Sequence, residues 1–101
     1  MSFVTTHVLD AAAGAPAAGV PVSLHDEEGG ILAIGLTDAD GRLGDLGPDA
    51  LPDGVYTIVF DTAELSTFYP NVTITFRIDG GAHYHVPLLL SPYGYSTYRG
   101  S

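Results

Sequence analysis

Histidines are the side chains in this sequence best suited to acid–base chemistry near neutral pH, because the ordinary pKa of imidazole is about 6.5. All four fall in segments that alternate like β-strands: His7 in 3–9, His25 in 20–25, and His83 and His85 in 83–90. Alternation puts His83 and His85 on one face, among apolar neighbours. A single histidine in such a place is more often a structural residue with its hydrogen bonds satisfied. Together they make a general acid–base site a hypothesis that needs further support.

A metal site is the second kind of chemistry that these histidines permit. His83 and His85 stand two residues apart on one strand face, which is a chelating geometry, and His7 is a candidate third ligand. The signal is weak, because no carboxylate is placed near them and the chain has no cysteine. The segment 38–43 begins like a calcium loop, but arginine and leucine stand where a ligand and the required glycine should be. We therefore predict no metal and no other cofactor.

Arg42 stands out because the chain has three arginines and no lysine. It follows a tight turn, which directs its side chain beyond the end of a strand. It either pairs with Asp40 or Asp45 at the surface, which is worth at most about 1 kcal/mol, or offers a fork of donors to a planar anionic ligand. The residues alone leave both interpretations open.

The C-terminal segment is unusually aromatic. Three tyrosines and an arginine lie within the last nine residues, at Tyr93, Tyr95, Tyr98 and Arg99. Tyrosine combines apolar contact area with a hydrogen-bonding hydroxyl, and it is enriched at interfaces. We expect this segment to be ordered and to belong to a hydrated interface.

The elements that must position these residues are short strands. Thirteen glycines and seven prolines divide the 101 residues at short intervals, which is typical of an all-β sandwich. We predict two sheets with seven or eight strands, and one short helix over 61–67, where Asp61 or Thr62 is a candidate N-cap. The length predicts a single domain over 1–101.

The formal net charge of −9 limits the partners. An acidic surface repels phosphate backbones and anionic lipids, so we predict neither nucleic acid nor membrane as a partner. The sequence has no basic leader segment and no apolar run long enough to cross a bilayer, so we expect a soluble cytoplasmic protein. A domain of this size has little interior for a private pocket, so we expect a neighbouring subunit to help build any ligand cavity.

Three stretches resemble the 5-hydroxyisourate hydrolases, the transthyretin-like enzymes of purine catabolism. They are 6–10 (THVLD), 37–42 (TDADGR) and 83–101 (HYHVPLLLSPYGYSTYRGS). The last four residues are the most specific part, because hormone carriers of the same fold lack them. The resemblance covers nearly the whole chain and implies a transthyretin-like sandwich.

The resemblance also implies an activity and a site. The activity is hydrolysis of the ring of 5-hydroxyisourate to 2-oxo-4-hydroxy-4-carboxy-5-ureidoimidazoline, by attack of water on a ring carbonyl. His7 and His85 would position and deprotonate the water, with the choice of base open, and Arg42 would bind the anionic oxygens. Ser101 would hold a substrate edge or orient a histidine. The implied substrate-contacting residues are His7, Arg42, Tyr98, Arg99, Gly100 and Ser101, and the implied assembly is a homotetramer, a dimer of dimers with its sites in a central channel.

Two other functions compete with hydrolysis. The first is a non-catalytic carrier with the same fold that binds a small planar ligand. Polar histidines and an arginine facing the ligand argue against it, since a carrier of apolar ligands needs apolar walls. The second is a structural sandwich module of the kind that is joined to other domains.

Overall fold

The computed structural model describes residues 2–100, which form nine β-strands and no helix. In chain order the strands are β1 (Val4–Asp10), β2 (Ala15–Pro16), β3 (Pro21–His25), β4 (Ile31–Leu36), β5 (Arg42–Leu43), β6 (Gly54–Asp61), β7 (Asn71–Ile78), β8 (Tyr84–Ser91) and β9 (Gly94–Thr97). They form two sheets, which confirms the all-β sandwich. The structure has nine strands instead of the predicted seven or eight because the count includes β2 and β5, each of which is only two residues long. Residues 2–100 contain no helix with the length and apolarity that a bilayer crossing requires.

The first sheet contains the strands that carry the candidate site. Its order is β2–β1–β8–β9, and β5 also pairs with β1. β1 and β8 run parallel, with Thr5 beside His85 in the register. β5 runs antiparallel to β1 and sets Arg42 beside His7. The two histidine-bearing strands and the arginine-bearing strand are therefore hydrogen-bonded neighbours. The second sheet is antiparallel throughout, in the order β4–β3–β6–β7.

The sheets enclose a core of alternating apolar side chains. Val4, Val8 and Leu88 of the first sheet and Ile58 and Phe60 of the second have no exposed surface. Removing such side chains from water contributes about 25 cal/mol for each Å² of apolar surface. Because successive strand residues point to opposite faces, this core directs the histidines of β1 and β8 outwards. Packing thus holds the backbone from which the site projects.

The prediction of a short helix over 61–67 is wrong. β6 continues through Asp61, and the chain then makes one turn, in which the N–H groups of Leu65 and Ser66 donate to the Thr62 carbonyl at 2.9 and 3.0 Å. The Thr62 hydroxyl donates to the carbonyl of Tyr69, and the Ser66 hydroxyl donates to the carbonyl of Pro92. Serine and threonine that bond to the backbone in this way compete with helix hydrogen bonds. The turn therefore closes on itself instead of continuing as a helix.

Candidate active site

An open pocket lies on the outer face of the first sheet, where β1, β5 and β8 meet. It has a volume of about 280 Å³. Its walls come from Thr5, Thr6, Arg42, Leu43, Gly44, His83 and His85. The structure thus brings together His85 of β8, His83 just before that strand, and Arg42 of β5, which is more than forty residues away in the sequence.

Thr5 connects His85 of β8 with His83, the residue before that strand. Its side chain is only 7% exposed, and its Oγ1 lies 2.8 Å from Nδ1 of His85 and 2.9 Å from Nε2 of His83. The two imidazole rings are nearly parallel, at 21° with 6.4 Å between their centroids. Both rings therefore take their orientation from one hydroxyl group, since each has a nitrogen bonded to it.

His85 is disposed to remain neutral. Burial lowers the pKa of His85 below its ordinary value of 6.5, and the positive charges of Arg42, His83 and His7 lower it further. A neutral imidazole can accept a proton from water, which a general base must do. The arrangement can therefore deprotonate a water molecule beside a guanidinium group.

Arg42 takes its position from the turn before it. The Asp38 carboxylate accepts hydrogen bonds from the N–H groups of Asp40 at 2.8 Å and Arg42 at 3.0 Å. Gly41 has a φ of +74°, and a Cβ added there would lie 2.4 Å from the carbonyl oxygen of Val8. Only glycine fits at that point, because its lack of Cβ permits both the positive φ and the close approach. The TDADGR sequence is thus an aspartate-capped turn that places the arginine.

The same turn also fixes the ring of His7. Nε2 of His7 lies 2.8 Å from the backbone carbonyl oxygen of Asp40. A carbonyl oxygen only accepts, so Nε2 is the donor and carries the proton, and Nδ1 of a neutral ring is left with its lone pair. The residues that line the pocket do not include His7, although its charge acts on His85.

The end of the described chain approaches His85 directly. The Gly100 N–H donates to the carbonyl oxygen of His85 at 2.7 Å and forms an isolated bridge with that residue. Ser101 follows in the sequence, and its predicted role lies outside the described residues.

Tyr98 and Arg99 lie at a different cavity. This larger space of about 500 Å³ is lined by Tyr84 and Val86, which flank His85 on β8 and so face the opposite side of the sheet. Phe76, Arg77, Tyr98 and Arg99 are among its other walls. The Arg99 guanidinium stacks over the Tyr84 ring at 4.2 Å from its centroid. Within one protomer, the structure therefore separates these two residues from the histidine pocket.

A metal ion held by His7, His83 and His85 was the alternative that the sequence left open. In the described part of the chain, no group of three or more histidine, aspartate and glutamate side chains could hold one. Nε2 of His83 and Nδ1 of His85 both bond to Thr5. The pocket chemistry available from these residues is acid–base and electrostatic.

The sequence interpretation missed three contributions to the site. Thr5 lies on the face of β1 that carries His7, and this alternation was a usable signal for its role. The Asp38 carboxylate and the Asp40 carbonyl had no such signal, because a turn sequence does not say which backbone groups will point at a side chain on another strand.

Comparison with known proteins shows the family of this chain and several relatives. A family model described as the HIUase/Transthyretin family matches residues 4–100. The 5-hydroxyisourate hydrolase of Salmonella typhimurium is 43% identical over 111 residues, which cover 99% of this chain and 82% of that protein. The Uric acid degradation bifunctional protein TTL of Arabidopsis thaliana is 46% identical over 119 residues, and the match spans 97% of this chain but only 37% of that protein.

Solved structures give the same picture. The structure of Klebsiella pneumoniae 5-hydroxyisourate hydrolase superposes with a TM-score of 0.89 at 41% identity and full coverage of both chains. Sea bream transthyretin in complex with thyroxine superposes with a TM-score of 0.86 at 32% identity, covering 97% of this chain and 94% of the other. Both chains share the fold, so the choice between hydrolysis and ligand carriage depends on the site.

Proposed function

The chain belongs to the HIUase/Transthyretin family, and we propose that it is a 5-hydroxyisourate hydrolase of urate catabolism. It opens the ring of 5-hydroxyisourate to 2-oxo-4-hydroxy-4-carboxy-5-ureidoimidazoline. The observation that carries this function is the position of His85, whose pKa is lowered by burial and by the charge of Arg42 within one pocket. A neutral base beside a fixed cation suits the attack of water on a carbonyl whose oxygen becomes negative.

The roles of the residues follow from their donors and acceptors. His85 or His7 takes a proton from the attacking water, and His7 has a free Nδ1 lone pair for this because its Nε2–H is held by Asp40. A positioned base of this kind contributes about 10²- to 10⁴-fold in rate. Arg42 binds the anionic oxygens of the substrate and stabilises the developing oxyanion, which is worth about 3 kcal/mol for each donor in comparable sites.

The last four residues complete the site in this proposal. Gly100 lies against the backbone of His85, and Ser101 holds a substrate edge or orients a histidine through its hydroxyl or carboxylate. Tyr98 and Arg99 border the neighbouring cavity. They act on substrate where protomers meet, and Arg99 also anchors the tail through its stacking on Tyr84.

The proposed assembly is a homotetramer, a dimer of dimers, in the cytoplasm. β9 and β7 each end a sheet, so each leaves one row of backbone hydrogen-bonding groups without a partner strand in the protomer. Tyr93, Tyr95 and Tyr98 are 76%, 45% and 58% exposed, and tyrosine is enriched at protein interfaces. A second protomer would also cover the histidine pocket, which is open in the single chain.

The carrier function fits this pocket less well. Its walls include two histidines, an arginine and two threonines, and polar groups left unpaired against an apolar ligand cost free energy. The similarity to transthyretin concerns the fold, and it does not by itself favour the carrier function for this pocket.

An assay with freshly generated substrate tests the proposal. Urate oxidase converts urate to 5-hydroxyisourate, and its absorbance decay is followed with and without the protein. We expect rapid decay with the wild type and a loss of about 100-fold or more for His85→Ala. His25→Ala is the matched control, because His25 lies on β3 in the other sheet and bonds to Ser23. Decay no faster than in buffer, or full activity in His85→Ala, would reject the function or the role of His85.

A further inference from the structure

The Thr5 hydroxyl group has fewer protons to donate than it has hydrogen-bonding partners among the two histidines. A threonine hydroxyl has one proton to donate, and here it bonds to two ring nitrogens. It can therefore donate to at most one ring, and at least one of the two ring nitrogens must carry a proton and donate to the hydroxyl oxygen. The protonation of the two rings is coupled when the hydroxyl proton serves one of them: a bare Nε2 of His83 then requires a proton on Nδ1 of His85, and a bare Nδ1 of His85 requires one on Nε2 of His83.

We propose that Thr5 and His83 are positioning residues that select the Nδ1–H form of His85 and connect it to solvent by a proton relay. This inference rests on the proposed hydrolysis and extends it to Thr5 and His83, which had no role in the proposed function. In the Nδ1–H form, Nε2 of His85 is unprotonated and available as a base. The Thr5 hydroxyl accepts from Nδ1 of His85 and donates to Nε2 of His83.

Each step of the relay moves one proton from one group to the next. When Nε2 of His85 takes a proton from water, the Nδ1 proton moves to Thr5 Oγ1 and the hydroxyl proton moves to Nε2 of His83. His83 then releases its Nδ1 proton to solvent. His85 is left neutral with its proton on Nε2, from which it can pass to the leaving nitrogen as the reverse relay returns a proton to Nδ1. No oxidant or further reactant is required.

The surroundings support the direction of transfer. His85 is half-buried, Thr5 is buried and His83 is exposed, so the hydrogen-bonded path that starts at His85 ends at a ring in contact with solvent. The charges that act on His85 are those of Arg42 on β5, His7 on β1 and His83 beside it, and each one disfavours an imidazolium there. A proton gained by His85 is therefore driven outwards, and the hydrogen-bonded exit is through Thr5.

Nitrogen NMR tests the selection of the tautomer without any need for activity. In long-range ¹H–¹⁵N spectra of the neutral protein, we expect protonated Nδ1 at His85 in the wild type and in Thr5→Ser, which keeps the hydroxyl. Thr5→Val removes the hydroxyl at nearly constant volume and should lose this preference. His83→Gln should retain it, because the amide oxygen can accept the Thr5 proton. A Thr5→Val spectrum identical to the wild type would overturn the proposal.

Kinetics separate the relay from simple orientation. We expect Thr5→Val to lower kcat by about 10- to 100-fold, which is less than the full contribution of a general base. KM should change less than about twofold. Thr5→Ser should recover the kcat of the wild type. His83→Gln should also lower kcat, and added imidazole should restore part of it. Thr73→Val on the exposed surface of β7 is the control for the substitution itself. Wild-type kcat and pH profile in His83→Gln would overturn the relay.

The two levels of inference fail differently. If the wild type does not accelerate the decay of 5-hydroxyisourate, the proposed function fails, and the NMR experiment still decides whether Thr5 selects the tautomer. If the wild type is active but both Thr5→Val and His83→Gln retain its kcat, the relay fails and the hydrolase function stands.

Discussion

Gly100 donates its backbone N–H to the carbonyl oxygen of His85 at 2.7 Å, so the tail of the chain is pinned to the residue that carries the candidate base. A Cβ added at Gly100 would lie 2.6 Å from Cδ2 of His85. No ordinary packing contact is that short, so a side chain there would displace either the imidazole or the tail. The glycine is required by the approach of two chain segments and not by a positive φ.

Gly100→Ala should therefore impair catalysis while leaving the fold intact. We expect kcat/KM to fall about 10-fold or more, since displacement of a base removes part of its 10²- to 10⁴-fold contribution, and we expect the thermal midpoint to change little. Gly94→Ala is the matched control, because a Cβ there meets nothing within 4 Å. Equal activity in the two alanine variants, measured by substrate decay, would contradict a tight fit at His85.

The stacking of Arg99 on Tyr84 should hold the same tail in place. A cation–π contact at an exposed site is worth about 0.5–1 kcal/mol, so Arg99→Ala should increase exchange of the Gly100 amide and lower kcat several-fold. Arg77→Ala removes the same charge from the same cavity but leaves the stacking of Arg99 on Tyr84 in place, and it serves as the control. Hydrogen exchange followed by mass spectrometry measures the effect. If the Gly100 amide exchanges equally in both variants, the stacking does not anchor the tail.

Asp38→Ala should disturb the site from outside it. The substitution removes the acceptor for two backbone N–H groups of the turn, and about 1–2 kcal/mol of stability is expected to be lost. Because that turn places both Arg42 and the carbonyl that binds His7, KM and kcat should both worsen. Glu27→Ala, at an exposed position in another turn, makes the same change in net charge. Urea unfolding and steady-state assays would show no difference between the two variants if the cap were unimportant.

The pH profile should reflect the environment of His85. Its pKa lies below 6.5 because of burial first and the Arg42 charge second, so the acid limb of kcat/KM should fall below pH 6.5. Arg42→Gln removes one of these causes and should raise the pKa of His85 in an NMR titration, with His83 and His7 still acting on it. An unchanged or lower pKa in that variant would show that Arg42 does not act on the ring.

The same shift predicts how stability depends on pH. The folded protein has a lower pKa at His85 than the unfolded chain, so the unfolded chain binds the proton more readily. The contribution of His85 to the free energy of unfolding therefore declines as pH falls below 6.5 and is constant above it. Chemical unfolding at pH 5 and pH 7.5 should show a smaller difference for His85→Gln than for the wild type. A difference of equal size would remove His85 from the acid sensitivity.

Much of the fold could be predicted because strand alternation is a local property. The apolar residues of β7 recur at every second position, and a buried face forces that register on the sheet that it joins. The failure at 61–67 has a local cause as well as a distant one. Thr62 was a candidate N-cap, but its hydroxyl donates to the carbonyl of Tyr69. The Ser66 hydroxyl donates to the carbonyl of Pro92, and no rule of sequence predicts that distant partner.

The sequence by itself determined which side chains were available for chemistry and which strand faces they occupy. Alternation and composition gave the histidine faces, the scarcity of cations and the turn before Arg42. Only the tertiary structure decided that β1 and β8 pair in parallel, so that Thr5 comes to lie beside His85. It also decided that the chain end returns to His85 while Arg99 faces the other side of the sheet. The physical reason is that strand pairing joins segments about eighty residues apart, and their register depends on the packing of the whole core rather than on either segment.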